Sequence, residues 1–315
     1  MRAALLEAPG RVVLHEVEPP ALRPDELLIA VEACGVCSSE VDLYLGRNPW
    51  AQYPVRLGHE VTGRVLAAGE AAGQNWIGRR VCAVTAQGGC AEQVATAASG
   101  CVPLPENLAP ELALLEPLGC AVNSYRAIAP PPGAGIVVLG CGFMGLLLLQ
   151  LLARLAAPRW LLAVARSPYS LRRALHHGAT AACALEQVHE RVAALSGGTG
   201  ADITVEVTGA EQPLAWAASL TREEGTLALV GYHQGFGRQV PVHEWNWKAL
   251  RLVNCHFRNP AQIMDGARRA LHLLQSGVLD VAPLLTHRFS LDEAAQAYAV
   301  AAARPPDFVK ATILP

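Results

Sequence analysis

Apolar and polar positions in the first hundred-odd residues fall into short β-type runs. Leu27-Leu28-Ile29-Ala30-Val31 and Val61-Thr62-Gly63-Arg64-Val65 are two of them, and glycine and proline punctuate the intervals. This predicts a small barrel-like or meander domain. Over 106–128 the pattern turns helical and rich in Ala and Leu, until Ala129-Pro130-Pro131-Pro132-Gly133 breaks it as a connector. Beyond the connector, apolar strands alternate with helices. The strands are expected at Ile136–Leu139, Trp160–Ala165, Asp202–Val207 and Thr226–Val230, and the helices at Gly145–Leu155 and Ser170–His177. Such alternation predicts a parallel sheet covered on both faces. Two further helices, Ala261–Ser276 and Leu291–Ala303, precede a closing strand, Phe308–Leu314, expected to return to the first domain.

One stretch competes with this assignment. Residues 133–153 carry no charge and are long enough to span a bilayer. Three glycines and Cys141 fall between Val138 and Leu146, however, and split the run into strand, turn and buried helix. No membrane association is expected. With 315 residues the chain is more suited to two domains than one. A net charge of −2 without any long basic run argues against nucleic acid as a partner. The start, Met1–Glu7, has no signal-peptide character, and the nine cysteines are odd in number and irregular in spacing. A cytoplasmic chain without disulfides is expected, with Cys34, Cys101, Cys141, Cys183 and Cys255 as small core residues.

The strand Ile136–Leu139 runs directly into Gly140-Cys141-Gly142-Phe143-Met144-Gly145, and a helix follows. Strand, glycine-rich turn and helix in this order form a dinucleotide-binding signature. Gly140 permits the tight turn, Gly142 the approach of backbone to a pyrophosphate, and Gly145 close helix–strand packing. Phe143 and Met144 open the helix whose N–H groups would face the phosphates. An NAD site usually places an acid about 20 residues past the last glycine. Here Ala165-Arg166-Ser167 stands there instead. A planar cation and a hydroxyl suit a 2′-phosphate, so NADP(H) is favoured over NAD(H). Thr208-Gly209 and Gly231-Tyr232 lie at the ends of later strands, where doubly wound sheets bind ligands.

Upstream lie metal-ligand types: Cys37 within Cys34-Gly35-Val36-Cys37-Ser38-Ser39-Glu40, then Gly58-His59-Glu60, then Glu116-Pro117-Leu118. Thiolate, imidazole and carboxylate together are what a catalytic zinc takes while keeping one position open. In order and approximate spacing these segments, with the glycine turn and the closing Lys310-Ala311-Thr312-Ile313, resemble the medium-chain dehydrogenase/reductase family. Glu116-Pro117-Leu118 is similar to the third-ligand region of its sorbitol and threonine dehydrogenase branch. The resemblance implies a GroES-like catalytic domain (1–122 and 256–315) and a Rossmann domain with a doubly wound parallel sheet (123–255). It implies zinc-dependent hydride transfer between a secondary alcohol or polyol and NAD(P), in a homodimer or homotetramer. Cys37, His59, Glu60 and Glu116 then match the zinc ligands, with Cys120 an alternative third ligand. Ser39 matches the first proton acceptor, and Glu40 stands where the family usually has an Asp that orients the histidine. Tyr44, Trp50 and Phe289 match pocket-lining positions.

Two departures qualify the resemblance. Between Val81 and Glu92 the family carries a lobe of four closely spaced cysteines around a structural zinc. This chain closes the gap with a short turn, so one catalytic zinc and no structural zinc are expected. Asp42 replaces the histidine common in the outer proton relay. Arg258 and Lys310 are candidates for the cofactor phosphates or the surface. The aromatic segment His243–Lys248 suits a subunit contact or, preferably, core. A metal-free NADPH-dependent quinone or enone reductase and a non-catalytic nucleotide-binding homologue are the alternative functions. The ligand set argues against the first of these, and Ser39 against the second.

Overall fold

A computed structural model describes residues 1–85, 88–235 and 237–315. The chain divides into two compact units. One comprises Met1–Gly119, Asn259–His272 and Val281–Pro315, and the other Cys120–Arg258 and Leu273–Asp280. The boundaries drawn from sequence were 122/123 and 255/256. The segment Leu273–Asp280, which follows the helix Pro260–Gln275 into its terminal loop, groups with the second unit.

The first unit is β-rich. Its larger sheet runs Leu285–Ser290, Lys310–Leu314, Glu26–Gly35, Glu60–Ala68, Arg80–Val84, Cys101–Pro103, and Gln93–Ala97 pairs additionally with Glu26–Gly35. A smaller sheet orders Arg11–Glu16, Arg2–Ala8 and Val55–Arg56. Along Glu26–Gly35, Leu27, Ile29, Val31 and Ala33 are buried while Leu28, Ala30 and Glu32 are only partly so, the period-two signature of a one-faced antiparallel strand. Leu27, Ile29 and Val31 share a core with Leu57, Val61, Val65, Tyr298 and Ile313. The closing strand, Lys310–Leu314, joins this sheet by pairing with Cys34 and Gly35. The stretch 106–128 is less helical than its composition suggests. Pro110 interrupts it, leaving a short 3₁₀ turn, Pro110–Ala113, before the helix Leu115–Ile128.

The second unit holds a parallel sheet in the order Ala181–Cys183, Trp160–Val164, Gly135–Leu139, Ala201–Glu206, Thr221–Leu229, Arg251–Asn254. Numbered from Gly135–Leu139 this is 3-2-1-4-5-6, the doubly wound dinucleotide-binding order. Gly135–Leu139 and Trp160–Val164 are buried at every position, which explains their unbroken apolar runs. The charge-free stretch resolves into strand, turn and the helix Phe143–Leu155, buried throughout from Gly145 to Leu152. Among the described residues no helix is long and apolar enough to cross a membrane.

Candidate metal and nucleotide sites

In the first unit, Cys37 caps the start of the helix Ser38–Tyr44, and Glu60 opens the strand Glu60–Ala68 with His59 immediately before it. This brings one donor atom from each of Cys37, His59 and Glu60 within 4.8 Å of one another. It is the one such cluster of three among the described residues. Glu60 pairs in register with Gly35, and only a glycine leaves room there. A Cβ on Gly35 would stand 1.9 Å from Glu60 Oε2.

Glu60 is 1 % exposed and is matched by the buried Lys310, whose Nζ donates to Oε1 at 2.7 Å. Oε2 lies 2.6 Å from the same ammonium but outside hydrogen-bond geometry, and it has no hydrogen-bond partner. Burial opposes the charge of Lys310. The Glu60 carboxylate, with Cys37 and Glu116 behind it, outweighs burial and raises its pKa above the ordinary value. Lys310 is therefore neither a surface residue nor free to follow a phosphate, the two roles considered from sequence.

His59 Nδ1 lies 2.8 Å from Glu40 Oε1, which also accepts from the Gly58 N–H at 2.8 Å. A carboxylate only accepts, so Nδ1 is the protonated nitrogen and the other ring nitrogen faces the Cys37 sulfur. Burial disfavours an imidazolium here, but Glu40 and Cys37 raise the His59 pKa well above its usual range. Burial also opposes the charge of Glu40. His59, the Tyr298 hydroxyl and the Gly58 N–H overcome it and hold the carboxyl below the ordinary range. Ser39 Oγ donates to Cys37 Sγ at 3.3 Å.

The remaining predicted residues of this unit fall around the cluster or away from it. Glu116 lies in the first turn of the helix Leu115–Ile128, outside the three-donor cluster but within electrostatic reach of Lys310. The Leu115 N–H donates to Cys82 Sγ at 3.2 Å, and burial pushes that thiol up to about 12. Cys120 belongs to the second unit. Asp42 accepts from Arg47 at 3.1 Å. Tyr44 packs beside Tyr298, Phe289 is core and Trp50 is exposed.

In the second unit, Gly140, Gly142, Phe143, Met144 and Gly145 form the turn and first helical turn after Gly135–Leu139. A Cβ on Gly145 would stand 2.0 Å from the Gly140 carbonyl oxygen, which explains that glycine by packing alone. Arg166 is exposed after the strand Trp160–Val164. Ser167 caps the next helix, its Oγ accepting from the Ser170 N–H at 3.1 Å. Thr208 and Gly231 meet around a residue that sequence reasoning missed, Glu206. Fully buried at the end of Ala201–Glu206, its Oε1 accepts from the N–H groups of Thr208 at 2.6 Å and Gly209 at 3.0 Å, and from the Thr208 hydroxyl. Its Oε2 faces His233 Nε2 at 2.9 Å. The signal was an acid at the end of a strand, two residues before Thr208-Gly209. The aromatic segment is divided: Trp245 packs on the core and Trp247 is 85 % exposed.

Comparison with known proteins agrees with this architecture. The alcohol dehydrogenase GroES-like domain family matches residues 23–142, and the zinc-binding dehydrogenase family matches 144–273. The chain belongs to the zinc-dependent alcohol and polyol branch of the medium-chain dehydrogenase/reductase family. Relatives of this branch include L-threonine 3-dehydrogenase of Bacillus subtilis (strain 168), 27 % identical over 92 % of each chain. Sorbitol dehydrogenase 1 of Saccharomyces cerevisiae is 28 % identical, covering 99 % of this chain and 97 % of its own. Among solved structures, alcohol dehydrogenase TADH from Thermus sp. ATN1 superposes with a TM-score of 0.87 at 26 % identity, over 100 % of this chain and 99 % of its own. Mycobacterial Rv1454c complexed with NADPH gives 0.87 at 25 % identity over the whole of both chains.

Proposed function

We propose that this dehydrogenase transfers a hydride between a secondary alcohol or polyol and NADP(H), using one zinc ion per chain. The observation that carries the metal reading is the Cys37, His59, Glu60 cluster, in which the buried Glu60 Oε2 has no hydrogen-bond partner. An imidazole, a thiol and a buried carboxylate fit zinc and leave a coordination position over. When bound, the ion supplies Lewis acidity, which lowers the pKa of an alcohol oxygen.

The chain's own residues do the rest. Glu40 holds Nδ1, so the other ring nitrogen is the one that would give up its proton to the metal. Ser39, whose hydroxyl donates to Cys37 Sγ, is the first group placed to take a proton from a substrate hydroxyl there. Asp42 is engaged by Arg47, so the proton's route beyond Ser39 does not begin with a free Asp42 carboxylate. Glu116 stands by as a second carboxylate near Lys310. In the second unit the glycine turn would hold the pyrophosphate, and the exposed Arg166 the 2′-phosphate. The relatives named for threonine and sorbitol support a substrate with a vicinal polar group.

A single ion is supported by the surroundings of Cys82 and Cys90. Cys82 accepts from the Leu115 N–H, and Cys90 lies buried against Cys34 at 3.7 Å, so neither sulfur presents itself to a surface metal. We also place the enzyme in the cytoplasm as a homo-oligomer. Nine free thiols suit a reducing compartment. The open edge Arg251–Asn254, with Leu252 and the neighbouring Trp247 exposed, suits contact with a second copy.

The experiment is metal analysis combined with a panel of vicinal diols, sugar alcohols, cyclitols and simple secondary alcohols, scored by NADP⁺ reduction. About one zinc per chain is expected, with activity lost on chelation and restored by zinc. Enone or quinone reduction indifferent to chelators would establish the metal-free alternative instead.

A further inference from the structure

The inference rests on the zinc reading of Cys37, His59 and Glu60 and concerns a residue far from them in sequence. We propose that Tyr298 is a positioning residue for the metal site: its buried hydroxyl locks Glu40, and Glu40 in turn locks His59. Tyr298 lies on the helix Ala294–Ala303 and is 0 % exposed. Its hydroxyl donates to Glu40 Oε2 at 2.7 Å. The opposite oxygen, Oε1, takes the Gly58 N–H and the His59 Nδ1–H, both at 2.8 Å. Each oxygen of one buried carboxylate is thereby fixed, one by the histidine side and one by the tyrosine.

The hydroxyl is the part of Tyr298 that needs explaining. The ring packs in an apolar core beside Tyr44, a task a phenylalanine ring performs equally well. Burying a hydroxyl in such a place is unfavourable unless it is hydrogen-bonded. Its two polar neighbours are Glu40 and, at 3.6 Å, the Cys90 sulfur, a much weaker acceptor. The chain therefore keeps a phenol where a phenyl would fill the space, and spends it on Glu40.

Glu40 has reason to need it. The terminal torsion of a glutamate is broad and roughly two-fold, so one set of donors on one oxygen leaves the carboxyl free to swing. A donor on the second oxygen removes that freedom. With the carboxyl fixed, the imidazole plane is fixed too, and the nitrogen away from Glu40 is aimed rather than merely present. Outer partners of this kind are typically worth about 10- to 100-fold in metal affinity. Tyr298 acts one step further out, so Tyr298→Phe is expected to weaken zinc binding about tenfold, the lower end of that range.

The test uses the full chain. Zinc affinity is measured by chelator competition for the parent, Tyr298→Phe, Glu40→Gln and the double variant. The visible spectrum of the cobalt-substituted protein and the unfolding midpoint of the metal-free protein are recorded alongside. The expected result is about a tenfold weaker zinc Kd for Tyr298→Phe with an altered cobalt spectrum. Tyr298→Phe should then have no further effect in the Glu40→Gln background, because Glu40 is the route by which the hydroxyl acts. A parent that binds no zinc would end the metal reading itself. A parent that binds zinc, with Tyr298→Phe matching its Kd and cobalt spectrum, overturns the positioning role even if the variant is less stable. Additive losses in the double variant overturn it as well. Should Tyr298→Phe fail to accumulate, Glu40→Asp carries the test. A carboxyl drawn back by one methylene can keep His59 or Tyr298 but not both, and unchanged affinity and spectrum would refute the proposal.

Discussion

Replacing Lys310 by Met isolates a buried ion pair of the first unit. The Lys310 and Glu60 side chains are 6 % and 1 % exposed, and Nζ stands 2.7 Å from Oε1. At that distance and an effective dielectric near 20, their mutual attraction is about 6 kcal/mol. Desolvation of several kcal/mol per ion offsets most of it, so the intact pair contributes little net stability. Removing one partner is different, because it leaves Glu60 buried and uncompensated, a loss of about 3–5 kcal/mol. Lys310→Met should lower the urea midpoint by that equivalent in chelator. Lys310→Met with Glu60→Gln should recover most of the loss. Zinc should also stabilise Lys310→Met more than the parent, since a metal cation replaces the missing ammonium beside Glu60. The raised Lys310 pKa fixes the pH window. The pairing is fully present below the ordinary lysine value of 10.5 and is lost only as pH rises through the higher folded value. A Lys310→Met protein within about 1 kcal/mol of the parent without metal, below the loss expected of a broken buried pair, would refute the reasoning. So would equal stabilisation of both proteins by zinc.

Three further outcomes are expected. Gly35→Ala places a Cβ against Glu60 Oε2 at a position with no left-handed backbone, so it should displace that carboxylate, lower the zinc content and cost about 1–3 kcal/mol in the urea midpoint. Arg166→Ala should raise KM for NADP⁺ about 10- to 100-fold while leaving KM for NAD⁺ nearly unchanged, and equal effects on both would remove Arg166 from the phosphate site. Asp202 accepts from the Gly135 N–H and from Arg222, each at 2.7 Å; burial opposes its charge, but these donors hold its pKa below the ordinary 3.8. Its contribution is therefore present above pH 3.8 and lost as pH falls through the lower folded value, so Asp202→Asn should cost about 1–2 kcal/mol at pH 7 and progressively less in acid, as urea unfolding at a series of pH values would show.

Local pattern carried much of this structure. The unbroken runs at Ile136–Leu139 and Trp160–Val164 are direct images of two-faced burial, whereas the alternating burial of Leu27–Val31 does not show in its all-apolar sequence. The glycine turn declared itself because its meaning depends on adjacent elements. Cys37, His59 and Glu60 were legible as types, and Gly35, two residues before Cys37, carried a signal that spacing could not interpret. Its role is to make room for Glu60 across a strand pair. Lys310, Tyr298 and Glu206 were not legible as parts of a site. Lys310 looked like a surface or phosphate-binding cation because burial of a lysine cannot be inferred without its partner. Tyr298 sits in an Ala-rich helix whose period marks it simply as core. Glu206 serves Thr208, Gly209 and His233 by way of a turn whose shape no period encodes.

The distribution of these hidden residues has a consequence for how the metal site forms. The three donors come from positions 37–60, but their supports arrive last: Tyr298 from the helix Ala294–Ala303 and Lys310 from the final strand. That strand enters the sheet beside Cys34 and Gly35, so the register that completes the sheet also delivers the ammonium to Glu60 and closes the core around Glu40. Until the chain end has docked, Glu60 lacks its counterion and Glu40 lacks the hydroxyl on Oε2. A site assembled in this way would bind metal in proportion to the closure of the whole unit, because affinity for the folded state alone converts ligand binding into folding free energy. Zinc would then stabilise the docked C-terminal strand as much as the three residues that touch it, and loosening of that strand would be felt first as weaker metal binding.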